Sequence, residues 1–211
     1  MKSKKSQLEE SRLYLILDKQ AVGEKPLSGI AAKLRGCGID IIQLRDKVSG
    51  KETVLKNAFL LRKSLLNTKT LFIINDYMDI AKIVNSDGIH LGQKDISVGV
   101  ARRILGRKKI IGVSCHSLRQ AIAAEKSGAD YIGIGPIFLT PTKPEYRAVG
   151  LKLLRQIKDK IKIPYFAIGD INKRNLEKVL SFGAKRVALC RAILKERNMC
   201  SAARYFSRML H

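Results

Sequence analysis

Eight short runs of aliphatic and β-branched residues recur along the chain, each parted from the next by a longer stretch of different character. They begin near Leu13 (LYLIL), Ile39 (IDIIQL), Leu71 (LFII), Gly88 (GIHL), Ile110 (IIGVS), Asp130 (DYIGIG), Pro164 (PYFAI) and Arg186 (RVALC). Each run is too short for a helix, and most are apolar throughout instead of alternating. A strand that is apolar on both faces must be covered on both faces, which is the condition of a parallel sheet.

The intervening stretches carry apolar residues at helical spacing. Leu27, Ile30, Ala31 and Leu34 share one face, as do Val54, Ala58, Leu61 and Leu65. The same holds for Ala121 and Ala124 with Ile122 alongside, for Leu176, Val179 and Leu180, and for Ala202, Tyr205 and Met209. Gly38, Gly128 and Gly183 stand just before strands, where a helix closes on a glycine. Eight strand–helix repeats are the count of an α/β (βα)8 TIM barrel. An open doubly wound sheet is the alternative. Its phosphate-loop signatures are missing: Gly133-Ile134-Gly135 runs into Pro-Ile-Phe, and no P-loop motif follows any strand. The expectation is one barrel domain over residues 11–211, with the polar residues 1–10 as a flexible N-terminal segment.

Composition narrows the partners. The longest uncharged stretch, Tyr131 to Thr142, holds two Gly and two Pro and is far short of the ~20 apolar residues of a membrane span. Near the start, Lys2, Lys4 and Lys5 are followed by Glu9, Glu10 and Arg12, and the apolar run from Leu13 stops at Asp18, so no secretory pattern forms. The four cysteines, Cys37, Cys115, Cys190 and Cys200, make no C-x-x-C pair and are expected as free thiols in a cytoplasmic protein. The formal charge of +23 calls for anionic partners: nucleic acid, an acidic membrane or phosphorylated metabolites. The Lys and Arg are spread along the whole chain, Trp is absent and aromatics are 6%, which leaves base stacking poorly supplied. The charge is therefore read as a solvated basic surface, and the partners as small phosphorylated substrates. A homo-oligomer is left open.

In a barrel the chemistry lies where strands run out into loops. After the second strand, Gln43, Arg45 and Lys47 point to one side if the segment stays extended, two cations and an amide that suit a pyrophosphate; a solvated basic loop explains them equally. Asn75 and Asp76 follow the third strand, and Asp95 follows the fourth. Two carboxylates beside a basic cluster fit magnesium completed by phosphate oxygens, whereas each alone fits a helix cap. Ser114 follows the fifth strand, with Cys115 read as a small buried filler and His116 as a polar cap of the next helix. The long loop from Gly135 to Gly150 holds Thr140, Thr142 and Lys143, and is either a binding loop or an insertion without function. At the last two strand ends, Gly169-Asp170 and Cys190-Arg191 occupy positions where barrels bind a phosphate. Asp170 is at odds with that role, and its plain alternative is the cap of a helix beginning near Asn172.

The segments IIQLRDK, FIINDYMDIAKIVNSDGIHLGQKD, IIGVSCHS, GADYIGIGPIFLTPTKP and IPYFAIGDI occur in that order between about Leu13 and Ile193. Together they resemble the thiamine phosphate synthase family, which includes thiazole tautomerase-like relatives. The resemblance implies a (βα)8 barrel that joins a hydroxymethylpyrimidine diphosphate to a hydroxyethylthiazole phosphate. Pyrophosphate leaves first, and the thiazole nitrogen attacks the resulting cation. It also implies that Gln43, Arg45, Lys47, Asn75, Ser114 and Lys143 hold the diphosphate, with Arg45, Lys47, Ser114 and Lys143 serving catalysis. Asp76 and Asp95 would bind Mg2+, and Thr140 and Thr142 the thiazole phosphate. The departure lies at the phosphate cup of Gly169, Asp170, Cys190 and Arg191. There the family has a second glycine in place of Asp170, and a small apolar residue and Ser in place of Cys190-Arg191. An altered acceptor, a tautomerase-like activity or a non-catalytic phosphate-ligand protein are the alternatives this leaves.

Overall fold

The computed structural model describes residues 2–140 and 146–211. All eight expected strands form: β1 (Leu13–Asp18), β2 (Ile41–Arg45), β3 (Leu71–Asn75), β4 (Gly88–Leu91), β5 (Ile110–Cys115), β6 (Tyr131–Ile134), β7 (Tyr165–Ile168) and β8 (Val187–Leu189). They pair in parallel and in chain order, and β8 returns to β1, closing the barrel. The helices are α1 (Lys4–Glu10), α2 (Lys19–Val22), α3 (Leu27–Lys33), α4 (Lys51–Ser64), α5 (Met78–Ile83), α6 (Val98–Leu105), α7 (Leu118–Lys126), α8 (Lys152–Lys158), α9 (Leu176–Ser181), α10 (Arg191–Leu194) and α11 (Met199–Leu210).

Two separate apolar clusters explain why the strands are apolar on both faces. Inward side chains Tyr14, Ile16, Ile41, Leu71, Ile73, Ile110, Tyr131, Phe166 and Ala188 fill the barrel. Their outward neighbours, among them Leu15, Ile42, Phe72, Ile111 and Ile132, pack beneath the helices. The register keeps inward residues level across neighbouring strands: Tyr14 beside Ile41, Ile16 beside Gln43, His90 beside Gly112 and Ser114 beside Gly133. Gly112 is required by this packing, since a Cβ there would lie 2.0 Å from Cζ of Tyr131.

Within the N-terminal segment 1–10, Lys4–Glu10 form helix α1. Ser3 Oγ caps it by accepting from the Ser6 amide at 3.1 Å. Leu8, only 2% exposed, joins the inward cluster at the N-terminal end of the barrel, and that apolar burial holds the segment down. Arg186 Nη2 donates to the Glu9 carbonyl at 2.7 Å, and Lys5 pairs with Asp130 at 2.7 Å. The cysteine expectation is corrected. Cys37, following α3, is disulfide-bonded to Cys200 in α11 across 163 residues, with Cα atoms 5.4 Å apart; Cys115 and Cys190 are free. Among the described residues, no helix is long and apolar enough to cross a membrane.

Candidate active site

The C-terminal strand ends surround a cleft that opens to solvent. It gathers residues far apart in sequence: Gln43 and Arg45 from β2, Asn75 from β3, Ser114 from β5, Thr140 after β6, Gly169 and Asp170 after β7, and Cys190 and Arg191 after β8. Thr142 and Lys143 lie outside the described residues.

Arg45 is the last residue of β2 and sits level with Asp18 of β1. Asp18 is 1% exposed and pairs directly with the Arg45 guanidinium. Its other oxygen accepts from the Gln20 amide at 2.8 Å and the Ala21 amide at 3.3 Å, capping α2. One buried carboxylate thus ends a strand, starts a helix and aims a cation into the cleft. Lys47 continues beyond β2 and pairs with Asp76 at the end of β3.

Neither candidate metal ligand is a helix cap. Asp76 has φ of 62°, and α5 begins two residues later, capped by Tyr77 without a side-chain bond. Ser97, not Asp95, caps α6. Asp95 folds back so that its carboxylate accepts from the Gly92 amide at 2.6 Å. Burial raises the Asp76 carboxyl above its ordinary range; the Lys47 ammonium opposes this, and the nearby Asp95 carboxylate adds to it. Two hard oxygen donors therefore lie close together where burial disfavours the Asp76 charge, which suits a divalent cation. Among the described residues, no cluster of three or more His, Cys, Asp or Glu forms. The pair fits Mg2+ completed by substrate oxygens and water, not a cation held by protein alone.

From the cleft floor into the barrel, polar groups run in a chain. Gln43 Nε2 donates to the Tyr14 hydroxyl at 2.7 Å, and the Tyr14 and Tyr131 hydroxyls are 2.8 Å apart. His90 Nδ1 lies 2.9 Å from the Tyr131 hydroxyl, and His90 Nε2 lies 2.9 Å from Ser114 Oγ. Burial pushes both phenols well above their usual range, so both keep their protons. His116 does not cap α7; Ser117 does. His116 lines the cleft instead, with Nδ1 on the Gly135 carbonyl and its ring 4.6 Å from that of Tyr146.

At the ends of β7 and β8, a Cβ on Gly169 would lie 2.5 Å from Cα of Pro136. Asp170 is exposed, with φ of 45°. It does not cap a helix at Asn172. Its carbonyl accepts from the Asn172 and Asn175 side chains at 3.0 Å each, and α9 begins only at Leu176. Arg191 opens α10 and is exposed. Among the described residues, no ion pair joins it to Asp170. Burial pushes the Cys190 thiol up to about 12, with the Asp18 charge adding to the shift, so a neutral sulfur faces the cleft.

Asp18, Tyr14, His90, Tyr131 and His116 were not among the expected site residues. The first four sit inside apolar runs, and their signal is the two-residue strand period: Tyr14 and Asp18 share the inward parity of Ile16, and His90 that of Gly88.

Fold and site define a (βα)8 barrel whose strand ends present arginines, amides and a hydroxyl to a single cleft, with a carboxylate pair, Asp76 and Asp95, just after β3 and β4. The model of the thiamine monophosphate synthase family matches residues 13–193, and the chain belongs to that family. It is 40% identical over 204 residues to the thiamine-phosphate synthase of Halalkalibacterium halodurans, covering 96% of this chain and 97% of that one. It is 36% identical over 208 residues to that of Methanosarcina barkeri, covering 98% and 94%. Among solved structures, the thiamine phosphate pyrophosphorylase of Pyrococcus furiosus superposes with a TM-score of 0.84 at 32% identity, covering 98% of this chain and 96% of that one.

Proposed function

We propose that this chain joins 4-amino-2-methyl-5-(diphosphooxymethyl)pyrimidine to 4-methyl-5-(2-phosphooxyethyl)thiazole, forming thiamine phosphate and pyrophosphate. The observation that carries this reading is the convergence of Gln43, Arg45, Asn75 and Ser114 on one cleft, in a chain 40% identical to a thiamine-phosphate synthase over nearly its full length. The bond from the pyrimidine methylene to the diphosphate oxygen breaks, and the electron pair leaves with the diphosphate. The thiazole nitrogen then supplies the pair for the new carbon–nitrogen bond. No proton needs to move for either step, so the protein's work is to hold the partners and stabilise the charge gathering on the leaving group.

Arg45, held by Asp18, and Lys47, beside Asp76, take up that charge. Asn75 and the Ser114 hydroxyl orient the diphosphate, and Lys143, which lies outside the described residues, is assigned to the same group. Asp76 and Asp95 would hold Mg2+, which would neutralise the diphosphate oxygens. Thr140 and Thr142 contact the acceptor's phosphate, with Gly169 and Cys190 shaping its cup. These substrates place the work in the cytoplasm, where the Cys37–Cys200 bond faces a reducing pool.

Asp170 favours a second reading, in which the acceptor differs from a thiazole phosphate. A carboxylate exposed at the cup repels a dianion, and Arg191 does not pair with it. Steady-state kinetics with the phosphorylated thiazole and its unphosphorylated alcohol separate the two readings: the first requires a strong preference for the phosphate.

A further inference from the structure

Five side chains from five strands form one continuous polar path through an otherwise apolar barrel: Gln43, Tyr14, Tyr131, His90 and Ser114. Gln43, Tyr14, Tyr131 and His90 are buried, each 8% exposed or less; Gln43, His90 and Ser114 border the cleft, and the two phenols lie beneath it. One assignment runs every proton the same way along the path. The Gln43 amide nitrogen can only donate, so the Tyr14 oxygen accepts there, and in this assignment its own proton goes to the Tyr131 oxygen 2.8 Å away. The Tyr131 oxygen then accepts, and its own proton goes to His90 Nδ1. Nδ1 being an acceptor, a neutral imidazole carries its proton on Nε2 and donates it to Ser114 Oγ. Ser114 Oγ thereby accepts from below with one lone pair, and its hydroxyl proton is turned away from the ring.

We infer that Tyr14, Tyr131 and His90 are positioning residues, which fix His90 as the Nε2–H tautomer and so orient the Ser114 hydroxyl as a donor into the cleft. The opposite polarity would leave Ser114 donating to His90 and presenting only lone pairs to an anion. The packing supports a dedicated device. Gly112 leaves the space that the Tyr131 ring occupies, since a Cβ there would lie 2.0 Å from Tyr131 Cζ. A barrel interior needs none of these polar atoms for closure, and each would be costly if unpaired. The inference that the cleft receives an anion rests on the proposed function; the direction of the path does not.

The test reads the two separately. Two-bond 15N–1H spectra of the histidine rings, recorded on the ligand-free protein at pH 8, should show His90 in a single Nε2–H tautomer. An Nδ1–H ring, a mixture, or an imidazolium overturns the inference. In Tyr131→Phe, Nδ1 loses its donor, and the single tautomer should give way to a mixture or to Nδ1–H; an unchanged ring overturns the role of Tyr131. With the two precursors as substrates, Ser114→Ala should lower kcat/KM on the order of ten- to a hundredfold, the worth of one hydrogen bond to a charged group. Tyr131→Phe combined with Ser114→Ala should then cost no more than Ser114→Ala alone, because both remove the same donor. Multiplied losses overturn the coupling. The wild-type spectrum needs no variant, so the inference stays testable if Tyr131→Phe does not fold. A wild type with the expected tautomer but no pyrophosphate release would leave the path standing and remove the substrates.

Discussion

Asp18 and Arg45 stand level on neighbouring strands, and the buried carboxylate of the first fixes the guanidinium of the second at the cleft wall. The pair sits where charge must be both held and aimed. Arg45 is 12% exposed in its side chain, so a partnerless guanidinium there would be left largely dry.

Asp18→Asn keeps an oxygen for the Gln20 amide and removes only the charge. It should raise KM for the pyrimidine diphosphate about tenfold and leave KM for the thiazole phosphate nearly unchanged. Stability should fall by about 1–3 kcal/mol, the scale of a hydrogen bond to a charged group lost from a buried partner. Equal changes in both KM values would show that Arg45 does not serve the diphosphate.

The barrel was legible because eight apolar runs carry two requirements at once, an inner layer and an outer one, as in LYLIL and LFII. Gln43, Arg45, Asn75 and Ser114 were legible for a related reason: polar residues that follow apolar runs mark where strands reach solvent. Asp18 was hidden because a carboxylate ending a strand reads as a boundary. Tyr14, His90 and Tyr131 were hidden because aromatic residues within apolar runs read as core, which they also are. The Cys37–Cys200 bond joins residues brought together only when α11 packs beside the loop after α3, and no local spacing encodes that. Leu8 is a single apolar residue among polar ones, and its burial depends on a barrel end it must plug.

The carboxylate pair yields a metal prediction. Asp95→Asn should leave the fold intact, since Asp95 is exposed and its Gly92 contact survives in the amide. The Mg2+ concentration needed for half-maximal rate should rise about ten- to a hundredfold, the usual range for weakening one metal partner. An unchanged magnesium requirement would remove Asp95 from the site.

The cysteines yield a chemical count and a pH dependence. Thiol titration of the unfolded, unreduced chain should find two thiols, Cys115 and Cys190; four would contradict the disulfide. Reducing that bond should cost about 2–4 kcal/mol of stability. In the folded chain burial pushes both free thiols up to about 12, so alkylation should stay slow at pH 9, where an unfolded cysteine is largely thiolate. The sign for stability follows: the unfolded chain loses these protons above about 8.5 while the folded chain keeps them, so both thiols disfavour folding as pH rises past that value.

The phosphate cup yields opposed mutants. Asp170 is exposed, so its repulsion of a bound phosphate is screened to about 1 kcal/mol, or roughly fivefold in affinity. Asp170→Gly should lower KM for the thiazole phosphate by about that factor, and the positive φ of 45° suits glycine. Arg191→Ser should raise the same KM. Indifference to both substitutions would place the acceptor's phosphate elsewhere.

The most direct measurement is pyrophosphate release by the purified chain with both precursors and Mg2+. Release should require all three, be matched mole for mole by thiamine phosphate, and fall by orders of magnitude in Arg45→Ala. Pyrophosphate release that ignores the thiazole phosphate, or no release at all from a folded wild type, would contradict the assignment of this cleft to the condensation.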